Sequence, residues 1–158
     1  MLLRDFLSAG ASAGVTRSVT YRHILGEPGV RNPEALRFGG RALPPGVSGL
    51  LHDVNGIHLR ANAATGRSYQ GLAPVEEWRV ALEQFSPAPP WMDDRFVVIS
   101  YHRDGAAYVV LDLESGTFFL MDSAGPDTTS PIASTVGELL AWIWKGRLSP
   151  EGMPVDPG

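Results

Sequence analysis

Residues 10–14, Gly10-Ala11-Ser12-Ala13-Gly14, match the G-x-S-x-G spacing of a serine-nucleophile elbow. Such an elbow needs a strained strand-to-helix turn that lifts the serine hydroxyl above a parallel sheet. Here the match follows a helical pattern near the N-terminus and no βαβ series surrounds it, so we read small residues at a helix end. Four histidines, His23, His52, His58 and His102, could act as bases or ligands. His52 and His58 stand six apart and no H-E-x-x-H pair occurs, so no metal site is expected. The acids Asp93, Asp94, Asp104, Asp112, Glu114, Asp122 and Asp127 could include a general acid and base. Most fall at expected strand ends or turns, where Asp bonds its own backbone; His102 and Asp104 share one such turn. Gly39-Gly40 lacks the spacing of a phosphate-binding loop. No reaction is specified, and no cofactor is expected.

The aromatic residues point to binding instead. Pro89-Pro90-Trp91 runs into Asp93-Asp94, a stiff, aromatic and acidic loop. Exposed aromatics are enriched in interfaces, so Trp91, Asp93 and Asp94 are read as a partner-binding patch, with Tyr101 and Asp104 beyond them. Trp142 and Trp144 flank Ile143 and point apart around the last helix, one inward and one toward the surface or the sheet edge.

Composition narrows the classes further. The chain has 158 residues, 44% of them hydrophobic, which suits one domain and is too apolar for a disordered chain. No stretch approaches the roughly 18 unbroken apolar residues of a membrane span. The absence of Cys removes disulfides, thiolate metal sites and a cysteine nucleophile. MLLRDFLSAG has no cationic run before its apolar residues and carries Asp5, unlike a signal peptide, so a cytoplasmic protein is expected. Net charge is -4, unevenly spread. Residues 1–80 hold nine Arg and six acids, and residues 81–158 hold four basic residues and eleven acids. An acidic second half argues against direct nucleic-acid binding, which needs clustered Lys and Arg.

The elements that must position these residues follow from spacing. Leu2, Leu3, Phe6 and Leu7 form a short amphipathic helix, and residues 10–40 read as strand or irregular chain. Pro44-Pro45 introduces a helix with Val47, Leu50, Leu51 and Val54 on one face, ended by Asn55-Gly56, both tolerant of positive φ. A third helix is expected from Pro74, with Val75, Trp78, Leu82 and Phe85 as its stripe, stopped by the SPAPP run from Ser86 to Pro90. Phe96–Tyr101, Ala106–Leu113 and Thr117–Met121 are apolar runs joined by short Gly-containing turns, a three-stranded antiparallel meander. Thr135 and Glu138 stand at capping-box spacing before a last helix buried through Val136, Leu139, Leu140 and Ile143. The expected fold is α+β, with helices packed on one face of an antiparallel sheet, one domain over 1–147 and a loose tail over 148–158.

This order of features resembles the SUKH superfamily, the group that includes fungal cell-wall synthesis regulators and bacterial immunity proteins. LPPGVSGLLHDVNG (Leu43–Gly56) is similar to the segment that opens that family. RFVVISYHRDGAAYVVLDLESGTFFLMD (Arg95–Asp122) is similar to its core hairpins, and IASTVGELLAWIW (Ile132–Trp144) to its closing helix. Gly46 and Gly49 stand where the family usually places larger residues, and the aromatic expected after the two prolines is absent. The resemblance implies a binding protein without catalytic residues, an antidote that binds a cognate toxin domain inside the producing cell. A basic, nuclease-like toxin would suit the acidic half of the chain. Two alternatives stand beside it: a regulatory scaffold or adaptor of the cell-wall-regulator kind, and a hydrolase using the scattered Asp and His residues.

Overall fold

The computed structural model describes residues 16–17, 29–60, 68–85, 87–102, 107–122 and 129–144. The expected N-terminal helix, the Gly10–Gly14 match, His23, the Asp104-Gly105 turn, Asp127 and the tail lie outside them.

Pro44 and Pro45 set the start of α1 (Pro45–Asp53), where a missing N–H costs nothing because the first helical donors have no intrahelical partner. Val47, Leu50, Leu51 and Val54 are buried as one stripe. Gly56 takes a positive φ of 96° but Asn55 does not. Asn55 acts through its side chain instead: Oδ1 accepts from Val75 N–H at 2.8 Å and Nδ2 donates to the Glu76 carboxylate at 3.0 Å. The last carbonyls of α1 are met from outside the helix. Gly29 N–H donates to the His52 carbonyl at 3.2 Å and Val30 N–H to the Leu51 carbonyl at 2.6 Å. Before α1, β2 (Arg37–Phe38) and β3 (Arg41–Ala42) form a hairpin. Its two turn residues, Gly39 and Gly40, have φ of 57° and 77°, the pairing that matches the twist of a tight hairpin.

The expected third helix does not form. Residues 75–84 instead make a 3-10 turn (Val75–Glu77), a two-residue strand β6 (Arg79–Val80) and a single helical turn, α2 (Ala81–Gln84). Trp78 is extended and 2% exposed, with its indole N–H on the Ala73 carbonyl at 2.8 Å. Arg79 and Val80 pair with Val98 and Val97 of the neighbouring strand, while the Arg79 guanidinium caps the Glu76 and Trp78 carbonyls. Sheet pairing and burial of the indole outweigh a helical preference of a few tenths of a kcal/mol per residue. Of the expected stripe, Leu82 is exposed and Val80 and Ala81 are buried in its place.

The meander is present as β7 (Phe96–His102), β8 (Ala107–Asp112) and β9 (Phe118–Asp122). It is the centre of a five-stranded antiparallel sheet, with β6 at one edge and β10 (Thr129–Ala133) at the other. Pro131 sits in that edge strand, where a proline leaves no inner ladder donor missing. A second sheet joins β1 (Thr16–Arg17), β4 (Ile57–Arg60) and β5 (Ser68–Leu72), and Ala73 N–H bonds the Ile99 carbonyl at 2.9 Å to tie it to β7. The chain closes with α3 (Val136–Trp144). Glu138 N–H donates to Thr135 Oγ1 at 3.1 Å, the first half of a capping box. Glu138 in turn accepts from Ser134 N–H at 2.7 Å and from Ser134 Oγ at 3.1 Å, one residue before the cap.

The α+β class is as expected, and strand alternation sends the sheet's two faces to different neighbours. Val97, Ile99, Val109, Leu111 and Phe118 join α1 and α3 in the main core. Phe96, Val98, Val110 and Met121 form a smaller cluster on the opposite face with Ala81 of α2 and Met92. The second face is therefore partly covered by the segment that carries the proline run.

Candidate functional site

Beside that smaller cluster lies a hollow of about 200 Å³. Its apolar walls are Trp91, Phe96, Val110, Phe119 and Met121, and its polar wall is Arg95 with Asp112. The strands that supply it obey a period of two: Val110 and Asp112 on β8, Phe119 and Met121 on β9. Trp91 comes from the turn after the prolines, where Met92 N–H bonds the Pro89 carbonyl at 3.0 Å. The Trp91 indole meets the Phe96 ring edge-on at 5.7 Å and stays 41% exposed.

The polar wall is a charge cluster around one guanidinium. Arg95 lies over the Phe96 ring at 4.8 Å, a cation–π arrangement. Its Nε is 3.5 Å from Asp112 Oδ1 and 3.9 Å from Asp93 Oδ1, and its Nη1 is 3.4 Å from Glu114 Oε2. Three carboxylates thus share one cation. Asp112 is 5% exposed, and its Oδ1 also accepts from Glu114 N–H at 2.9 Å and Ser115 N–H at 3.4 Å, so one oxygen holds the β8–β9 turn. The Arg95 Nε is buried and, at these distances, makes no hydrogen bond to a described residue.

Of the patch read from sequence, Trp91 borders the hollow, and Asp93 and Asp94 stand beside it with partners of their own. Asp93 accepts from Arg95 N–H at 2.9 Å, an Asx turn leading into β7. Asp94 Oδ1 pairs with Arg41 Nη2 at 3.2 Å, and the hairpin that carries Arg41 packs Gly39 against the Asp94 backbone. The acids of this loop therefore carry compensating arginines. Tyr101 lies opposite Tyr108 in the β7–β8 ladder, its side chain outside the described residues, as are Asp104 and the His58 and His102 side chains. The sequence marks Asp112 only as one of the scattered acids, and Arg95, Phe96, Phe119 and Met121 carry no site signal of their own. The available signal was FFLM at 118–121, apolar at successive positions, which marks a strand covered on both faces.

Elsewhere, the His52 imidazole hydrogen-bonds the Glu34 carboxylate and holds its pKa below the ordinary value. Both side chains are exposed. Among the described residues no group of three or more His, Asp or Glu could hold a metal ion. The hydrolase alternative needs two acids, or an acid and a His, converging in a pocket. The hollow has one carboxylate in its wall. Among the described residues, no helix is long and apolar enough to cross a membrane. No family model matches the chain, and no curated protein matches it.

Proposed function

We propose that this chain is a non-catalytic binding protein of the SUKH-like kind, an immunity protein that binds and neutralises a cognate toxin domain within the cell that makes it. The observation that carries the reading is Trp91, a large indole left 41% exposed at the edge of an apolar hollow. Tryptophan is the residue most enriched among binding hot spots, and a part-exposed one beside a concave surface has contact area still to gain. The rim suits a basic partner, since Asp93, Asp94 and Glu114 are exposed around it and the second half of the chain is acidic overall. The motif order seen in the sequence agrees with an antidote, and the single carboxylate in the hollow favours binding over acid–base chemistry.

Co-expression tests it. Toxin domains encoded beside this gene are expressed with and without the chain, followed by pull-down. Rescue of growth with recovery of a complex is expected; neither rescue nor a complex with any neighbouring toxin overturns the reading.

A further inference from the structure

We propose that the hollow receives one large apolar side chain carried on a basic segment of the partner, with the acids outside the hollow meeting the cations that flank it. This rests on the partner-binding reading above and names the chemistry of its anchor.

The lining sets the first limit. Trp91, Phe96, Val110, Phe119 and Met121 are apolar, and the remaining two residues, Arg95 and Asp112, carry one charge of each sign 3.5 Å apart. Asp112 Oδ1 is already taken by the Glu114 and Ser115 amides, and the Arg95 Nε is itself buried. A charged occupant would lose its water and gain no net counter-charge, whereas an apolar one gains in proportion to the area it buries. About 200 Å³ falls below the roughly 300–1,000 Å³ of small-molecule pockets, so the space suits one side chain.

The sheet sets the second limit. On this face Phe85 packs edge-on against Tyr108 at 5.4 Å and Trp91 against Phe96 at 5.7 Å, which covers parts of β7 and β8. Register places Val110, Phe119 and Pro131 side by side across β8, β9 and β10. Burial falls in that order: Val110 is buried, Phe119 half-buried and Pro131 exposed. Among the described residues the cover stops at the hollow, while apolar sheet surface continues past it.

Charge outside the hollow selects the segment that carries the anchor. Asp93, Asp94, Asp112 and Glu114 share only Arg41 and Arg95 in their described ion pairs. The side chains of Asp93, Asp94 and Glu114 are 52%, 51% and 65% exposed, against 42% for Arg41 and 35% for Arg95. The acids are thus both in excess and the more exposed, so the surface beside the hollow presents negative charge. Lys or Arg next to the anchor complements it.

The probe is the capped peptide acetyl-Lys-Phe-Lys-amide, titrated into the full chain and followed by saturation-transfer NMR on the peptide's own protons. The Trp91 indole N–H, assigned through Trp91→Phe, locates the contact. Saturable binding with a dissociation constant in the roughly millimolar range and a shift of the Trp91 resonance are expected, as befits one isolated anchor. Acetyl-Lys-Ala-Lys-amide keeps the charges and should bind at least about tenfold more weakly. Acetyl-Glu-Phe-Glu-amide keeps the ring and should also bind more weakly, by a margin that narrows at high salt. Trp91→Ala, at an exposed position, keeps the fold and should weaken binding of the first peptide several-fold. No saturation up to about 50 mM, equal binding of the alanine peptide, preference for the acidic peptide, or unchanged affinity in Trp91→Ala overturns the proposal. If the peptides fail while a neighbouring toxin is still neutralised, the apolar receptor falls and the immunity reading stands. If the phenylalanine peptide binds as expected while no toxin is rescued, the toxin reading falls and the receptor stands.

Discussion

Arg41 and Asp94 meet at 3.2 Å across 53 positions of sequence, the arginine on the β2–β3 hairpin and the aspartate in the turn that leads into β7. The pair turns an apparently free acidic loop into one whose charges are held in register. Removing one partner changes the other, which bears on how the loop's acids are tested.

Replacing both Asp93 and Asp94 by Asn removes two carboxylates and leaves Arg41 and Arg95 less compensated. Affinity for a basic partner should therefore fall, and fall further at low ionic strength than at high, because exposed charges are screened within about 10 Å at 0.1 M salt. Calorimetric titration at two salt concentrations checks this. Equal affinity of wild type and double variant at both would remove the loop from the interface. Stability should change little, since exposed ion pairs contribute about 0–1 kcal/mol.

Gly29→Ala should destabilise the protein by about 1–3 kcal/mol, the usual cost of forcing an extra methyl group into a packed site. A Cβ there would overlap the Leu51 carbonyl oxygen and lie 2.7 Å from Val54 N. Because those atoms are backbone, relief would require moving residues 29–30 off the end of α1 and stranding its last carbonyls. Urea unfolding gives the value, and a change below about 0.5 kcal/mol would contradict this contact.

The α3 cap offers a mutational and a pH test. Thr135→Ala should cost about 1 kcal/mol, the typical worth of an N-cap hydroxyl. The Ser134 amide and hydroxyl hold Glu138 below its ordinary pKa, and the His52 hydrogen bond does the same for Glu34. A carboxylate with a depressed folded pKa adds stability above its unfolded value and loses that addition as pH falls through the folded one. Wild type should thus lose more stability than Glu138→Gln or Glu34→Gln below roughly pH 4.3. Melting temperatures recorded from neutral pH down to that range check the sign; parallel curves for all three would remove the effect.

Ser100→Ala should raise stability by about 1 kcal/mol. Ser100 is fully buried at a β7 bulge, and among the described residues its hydroxyl has no hydrogen-bond partner. An unpaired buried hydroxyl costs about 1–3 kcal/mol, whereas alanine leaves only a small void. Chemical denaturation yields the difference, and a loss comparable to that of a deleted hydrogen bond would show that the hydroxyl is satisfied.

Local order alone determined α1 and the meander. Val47, Leu50, Leu51 and Val54 fall within one helical stripe opened by two prolines, and β7–β9 alternate between short Gly-containing turns. These signals involve residues a few positions apart, so the chain carries them whatever surrounds it. Residues 75–85 carried a helical spacing as well, yet β7 drew Arg79 and Val80 into the sheet and Ala73 drew in the Trp78 indole. Such a choice depends on partners distant in sequence, whose pairing outweighs small local preferences. The hollow divides in the same way. Trp91 and its two acids were legible because a proline run beside an aromatic residue is a local feature. Arg95, Asp112, Phe119 and Met121 became a site only when strand register set them on one face. Composition and spacing determined an acidic α+β chain with an aromatic loop; the sheet decided what that loop stands beside, because register fixes which side chains share a face.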